Sequence, residues 1–530
     1  MRGAGAAEGR SPSLWRRGSG TLPLRHRVRK ANPPPRPPYS LHSVHRILIL
    51  FLSTVEAAVV YWGKLYFFLK ERDMAENGNY GYIMLGVFLI LCGIYLLDCL
   101  FRRQEVRLGD KTLSFLHHGG MELVLFAGSF LIFFFLNNHK YVYYNNYSYL
   151  SEALLKGHLY VDGMPAYLES VDFGGHTYMH FAPGPSLLCL PFVAIWGVEG
   201  FNIAWLSTLL GAGNSVLFYR VFYHMGIGRN MRERFWCTVL AVFGTTHCFL
   251  ASIGHSWFLG HVSGWFFLLL GMVFLTKESK HPGLSLFLSG LFYGLSVTCR
   301  MSNLPGAVFF FGYILLKKEK KQWFKSLLLF CAGAAVFGGM YMLFDYVRYG
   351  TIMDQGYNLT HLKDLHRDMY NRLQTLPAEE QLAFLKECEK TVGGPLSLSH
   401  VKYNLYSIFL LMPEFSSAYP YMIPTMAGVC LTFTSPALYF AVRAGFKKNR
   451  LCWWMLGAMV LCALPFLMNY GNGFAQFGMR YAMDFLPYTL LLAAMGLTRR
   501  EMKGWKVALI LLCVLVNVWG PVYWNCFYLS

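Results

Sequence analysis

PGPSLLCLPFVAIWG, residues 183–197, decides how this chain is threaded. The run is apolar, but Pro183, Gly184 and Pro185 open it and it falls short of the roughly 20 residues that carry a helix across a bilayer. If it crosses, the basic clusters from Arg229 onward change side. If it does not, they all share one side with the earlier ones: Arg25, Arg27, Arg29 and Lys30; Arg102 and Arg103; Arg229, Arg232 and Arg234; Lys277 and Lys280; Lys317 and Lys318; Lys447 and Lys448; Arg499 and Arg500. Cytoplasmic loops collect Lys and Arg. The charges therefore favour a run that enters and leaves on the same face.

Working outward from it, apolar runs lie at 47–69, 82–101, 121–137, 201–219, 235–253, 258–275, 283–300, 303–316, 326–344, 423–443, 451–469, 484–498 and 505–525. Each is read as a candidate membrane-spanning helix. The expected fold is an all-α, polytopic transmembrane helical bundle of about 13 spans. Residues 1–46, rich in Arg, Pro, Gly and Ser, read as a disordered cytoplasmic tail, and no cleavable leader is expected there. Residues 47–120 hold two extra helices, and 121–530 form the core. The loops 138–183 and 345–422 are expected on the non-cytoplasmic face, with the short links around His255, Met301 and 469–483.

Composition agrees with bilayer as the solvent. Of 530 residues, 55% are hydrophobic and 14% charged, and mean hydropathy is +0.37. Soluble domains carry about 25% charged residues, so a water-facing surface could not be covered here. The net charge of +19 sits in short clusters between apolar runs rather than on a stripe interleaved with aromatics, which argues against nucleic acid. The thirteen cysteines form no CxxC pair, so neither a disulfide framework nor a zinc site is expected.

The polar chemistry gathers on the expected outer face. Glu169, Asp172, His176 and His180 fall in one short loop around the Gly174–Gly175 turn. Either carboxylate is a candidate general base, and the structural alternative is a solvated loop charge. His255 and His261 flank the start of an apolar run, where a satisfied structural histidine is the commoner case. With His247 they would need a carboxylate to hold a metal. Arg300 ends an apolar run and either snorkels or pairs with a phosphate through its forked donors. In the last outer link, Gln476, Arg480 and Asp484 follow Gly471 and Gly473. Arg480 and Asp484 are spaced to share a helical face and pair. Tyr178, His180 and Tyr357 are candidates to shape a substrate pocket.

The stretch from Tyr147 to Pro191, with GHLY and YMHFAPGPSLLCLPF, resembles the start of bacterial GT-C-type glycosyltransferases, nearest to the mannosyltransferase-like family 39. Phe243-Gly-Thr-Thr with Gly-His-Ser-Trp-Phe and His261, the run ending at Arg300, and the stretch Gln476 to Asp484 add to the likeness, which covers about Tyr141 to Leu497. The resemblance implies a multi-span enzyme that takes a sugar from a polyprenyl-phosphate donor and passes it to an acceptor hydroxyl outside. The acceptor is a glycan, lipid or protein. Where many members carry an acidic pair, this chain has Asn137-Asn138 and Asn145-Asn146, so Asp172 becomes the first candidate base and Glu169 the second. Arg300 and Arg480 would hold the donor phosphate. No cofactor is expected, and a divalent metal is left open. A transporter or lipid-linked-saccharide flippase is the competing expectation. It would place ionisable residues at mid-membrane and show repeats; the sequence has few such residues, Glu56 and Asp98 lying near ends or isolated, and shows no repeat.

Overall fold

The computed structural model describes residues 80–102, 119–137, 141–161, 163–417 and 420–528. The basic tail and the first expected span, 47–69, lie outside the described residues. What is described is a helical bundle carrying two two-stranded hairpins. Five helices are long and apolar enough to cross a membrane: Ser256–Thr276, Pro282–Cys299, Lys320–Tyr349, Leu451–Met468 and Gly504–Phe527. A sixth is counted if Met231–Phe243 and His247–Ile253, bent by 60° at their junction, make one span. This is a multi-pass helical membrane protein, but the expectation of about thirteen crossings is corrected to five or six among the described residues.

Part of the shortfall has a local cause: in three of the apolar runs the backbone does not stay α-helical. The run 423–443 breaks at Ser435-Pro436 into the four-residue helix Leu431–Thr434 and a 3₁₀ stretch, Pro436–Arg443. The run 303–316 begins as 3₁₀ through Pro305, leaving the α-helix Ala307–Lys317. Asp484 closes another 3₁₀ segment, Arg480–Asp484, ahead of the 13-residue helix Leu486–Thr498. Proline removes a backbone donor and clashes with the preceding turn, so it ends or tightens helices.

Two spans approach at backbone distance. A Cβ added to Gly290 would overlap the Phe330 carbonyl oxygen, and one on Gly333 would overlap that of Phe287. Small residues that let helices close are the usual association device in a bilayer, where lipid tails compete with any apolar contact. At the end carrying the basic loops, Arg232 grips Asp98 through Nε and Nη2, each at 2.5 Å, and Trp236 donates to the same carboxylate at 2.8 Å. This clasp ties the helix Tyr80–Arg102 to Met231–Phe243.

The deciding run forms the helix Gly184–Gly200. Both of its ends lie at the end of the bundle opposite the basic loops. A Cβ on Gly184 would strike Cys299 and the Thr298 carbonyl, while the Val198 carbonyl accepts from Tyr141 Oη. Nearby, the Ser256 backbone N–H donates to the Tyr144 carbonyl at 2.9 Å. Above this end sits a cap: the hairpin Val171–Phe173/His176–Tyr178 and the helices Gly356–Leu365, Arg367–Gln374 and Ala378–Val392. They share a separate small core of Val171, Phe173, Tyr178, Leu359, Leu373 and Leu385 among others.

Candidate active site

The ring of Tyr481 lies between two guanidiniums: Arg300 Cζ is 5.5 Å and Arg480 Cζ 5.1 Å from its centroid. The two arginines differ in partners. Arg300 forks onto Asp484, Nε to Oδ1 at 3.2 Å and Nη2 to Oδ2 at 2.9 Å. Asp484 Oδ1 also lies 3.2 Å from His261 Nδ1, deep in the bundle. Although burial opposes its ionisation, Arg300 and then His261 hold the Asp484 carboxyl well below the usual carboxylate range. Arg480 has no carboxylate partner among the described residues. Its Nη1 donates to the Phe474 carbonyl at 3.3 Å, and its Cζ stands 5.8 Å from the Trp257 ring. The expected Arg480–Asp484 pair is corrected: the segment between them is 3₁₀, in which residues four apart do not stack.

Trp257 continues the row. Its Nε1 donates to Glu169 Oε2 at 3.1 Å, and the same oxygen is 3.6 Å from His180 Nε2. Glu169 is open, its side chain 49% exposed, whereas His180 is 4% exposed. Burial lowers the His180 pKa to about 4, so the ring is neutral near pH 7 and its contact with Glu169 is a polar one. Tyr357 packs edge-on to His180 at 5.6 Å. Burial raises its phenol pKa, and the charges of Arg300, Asp354 and Asp484 all reach it. Glu169, His180, Trp257, Tyr357, Arg300, Tyr481 and Arg480 thus gather in one cluster, a mouth open to the surface at Glu169 and Tyr357, at the end of the bundle opposite the basic loops.

Asp172 does not share it. Its Oδ1 accepts from Thr177 Oγ1 at 2.7 Å and its Oδ2 from Tyr370 Oη at 3.3 Å. Its backbone N–H donates to the same phenol oxygen, and its carbonyl accepts from Gln374 at 2.8 Å. This residue pins the hairpin to the helix Arg367–Gln374. Tyr178 is also drawn away, packing on Tyr349 at 5.5 Å in the cap core. Gln476 braces a loop, donating to the Ala427 and Asn472 carbonyls. His255 is buried among Tyr144, Trp257, Phe258 and Trp524, which pushes its pKa down to about 3, with Arg480 adding to the effect.

Trp257, Tyr481 and Tyr147 join the cluster without any motif to mark them, and His261 joins it through Asp484 rather than as a metal ligand. Trp257 and His261 are four apart on one helix, spacing that puts them on one face. Tyr481 adjoins an arginine that was chosen. A Cβ on Gly260 would meet the Tyr147 hydroxyl at 2.9 Å, so the helix Asn146–Leu155 delivers that phenol to the same place. His247 has its own partners, the Val242 carbonyl and Asn214, and stacks on Trp265. Among the described residues no three His, Cys, Asp or Glu side chains gather closely enough to hold a metal ion.

No protein-family model and no curated protein matches the chain. Among solved structures, the apo oligosaccharyltransferase of Archaeoglobus fulgidus is similar at 13% identity and a TM-score of 0.42. The likeness covers 76% of this chain and 55% of that one, so this chain spans about half of its length.

Proposed function

We propose that the protein is a membrane glycosyltransferase that moves a sugar from a polyprenyl-phosphate carrier to an acceptor hydroxyl on the non-cytoplasmic face. One observation carries the reading. An open carboxylate and an unpaired arginine face the same mouth, joined by the edge and face of one tryptophan. In this reading Glu169, not Asp172, takes the acceptor proton. The acceptor oxygen attacks the anomeric carbon, the bond from that carbon to the phosphate oxygen breaks, and polyprenyl phosphate leaves with the bonding pair. The charge that grows on the phosphate falls first to Arg480, because Arg300 is already neutralised by Asp484. Cations aimed at developing charge in a shielded site are among the strongest contributors to catalysis. Tyr357, partly exposed, offers its ring and hydroxyl to a sugar between the two sides.

The test is release of polyprenyl phosphate. Full-length protein in nanodiscs is supplied with radiolabelled polyprenyl-phosphate hexoses and pentoses, with and without detergent extract of the host membrane as acceptor. Turnover that Glu169→Gln abolishes is the expected result. Movement of intact donor between leaflets without release would instead make the protein a flippase.

A further inference from the structure

A second polar cavity opens at the opposite end of the bundle, among the basic loops. Its volume is about 290 Å³, close to the lower limit of about 300 Å³ for small-molecule sites. Lys317, Lys448, Arg450 and His224 line it together with Asn449 and Tyr313, and no Asp or Glu does. Lys317, Lys448 and Arg450 make no ion pair among the described residues. That is notable beside Arg232, Arg229 and Arg220, which each find a carboxylate at this same end. Arg220 and Lys277 add positive field near His224, with Glu122 and Glu278 acting against them.

The three cations come from two separate places in the chain. Lys317 ends the helix Ala307–Lys317, and Lys448 and Arg450 precede Leu451–Met468. The fold brings them to one rim when mutual repulsion would be relieved by separation. The lining also includes the apolar side chains of Ile227, Leu451 and Met495. Cations and hydrocarbon in one cavity match a phosphate joined to a greasy tail, and basic pockets between helix ends on the cytoplasmic side suit anionic headgroups.

We propose that this cavity is a binding site for a phosphate-bearing anion, presented as the headgroup of an anionic phospholipid in the leaflet next to the basic loops. It is independent of the sugar-transfer reading, since it lies at the other end of the molecule and uses none of the same residues.

The experiment uses the full chain in phosphatidylcholine nanodiscs with and without phosphatidylglycerol. Native mass spectrometry counts the lipid retained, and thermal unfolding reports its effect. The cavity variant Lys317→Gln/Lys448→Gln/Arg450→Gln is set against an equally charged control at exposed positions outside it, Lys280→Gln/Lys320→Gln/Lys325→Gln. Retention of phosphatidylglycerol should fall at least about tenfold in the cavity variant only. Equal retention in both, or equal loss in both, overturns the proposal, since either makes the binding a matter of bulk charge. Inorganic phosphate is the remaining arm. If it alone stabilises the wild type and not the cavity variant, the anion is soluble phosphate and the lipid assignment falls. If the cavity variant unfolds without lipid, Asn449→Leu with Lys448→Gln repeats the comparison with less charge removed.

Discussion

Two carboxylates three residues apart meet different fates. Asp172 sits in the hairpin, half-buried, with both oxygens taken by hydroxyls and its backbone held from both sides. Glu169 stands just before the hairpin, largely exposed, with one oxygen between an indole N–H and a neutral imidazole. The first builds the cap and the second faces the mouth. Saturated polar groups hold a structure together, and a group with capacity to spare is free for chemistry. The same contrast separates Arg300, locked to Asp484, from Arg480, which has a carbonyl, a phenol hydroxyl and aromatic faces but no carboxylate among the described residues.

The sharpest way to break the comparison is to neutralise each carboxylate. Glu169→Gln should lower release of polyprenyl phosphate by about 10²–10⁴-fold, the usual contribution of a positioned base, while leaving thermal unfolding unchanged. Asp172→Asn should do the reverse. It loses the charge that strengthens two hydroxyl contacts, costing about 1–2 kcal/mol, and keeps turnover within a few-fold. If Asp172→Asn is the inactive variant, the roles given to the two acids are exchanged.

The arginines give the next largest effect. Asp484→Asn leaves the Arg300 guanidinium buried without its counter-charge, and breaking a buried pair costs about 3–5 kcal/mol. Unfolding in detergent should show it directly. Arg480→Gln removes a cation with no carboxylate to strand, so stability should stay within about 1 kcal/mol. Turnover should fall by about 10²-fold if that charge meets the leaving phosphate. A stability loss in Arg480→Gln as large as in Asp484→Asn would make both arginines structural.

How much of this was legible in the sequence varied with the kind of signal. Membrane character was plain, because it follows from composition. The same-face reading of 184–197 rests on a proline-flanked start and a charge count; the two ends of the helix Gly184–Gly200 meet different segments, Thr298 at one end and Tyr141 at the other. Span number was not legible. Hydropathy sees side chains, and what ended the helices near Pro305 and Pro436 was the backbone. Of the chosen residues, Glu169, His180, Tyr357, Arg300 and Arg480 converge, and Asp484 supports them from below. Asp172, Tyr178 and Gln476 looked equally polar and equally placed. Asp172 and Tyr178 are held by partners far off in the chain, Tyr370 and Tyr349, which no local spacing discloses, while Gln476 is taken up by the carbonyls of Ala427 and Asn472. Asp484 found Arg300 rather than Arg480 for a different reason, a 3₁₀ turn where an α-helix was assumed.

The smallest effect concerns pH. His180 and His255 both have folded pKa values below the ordinary value of about 6.5, at about 4 and about 3, each mainly through burial. Lowered values mean that the unfolded chain binds more protons in this range. Their contribution to stability is therefore complete above about pH 6.5 and declines as pH falls toward 4. Thermal unfolding between pH 7 and pH 4.5 should show the decline, and His255→Phe should flatten it, since the ring is enclosed by aromatics that a phenyl group can replace. His180→Gln should flatten it as well, but with a second consequence, because His180 borders Glu169. Its turnover should change while that of His255→Phe does not. A decline between pH 7 and pH 4.5 that neither variant alters would overturn the assignment to these histidines, and Asp484 would not account for it, since its lowered pKa places its loss below about pH 4.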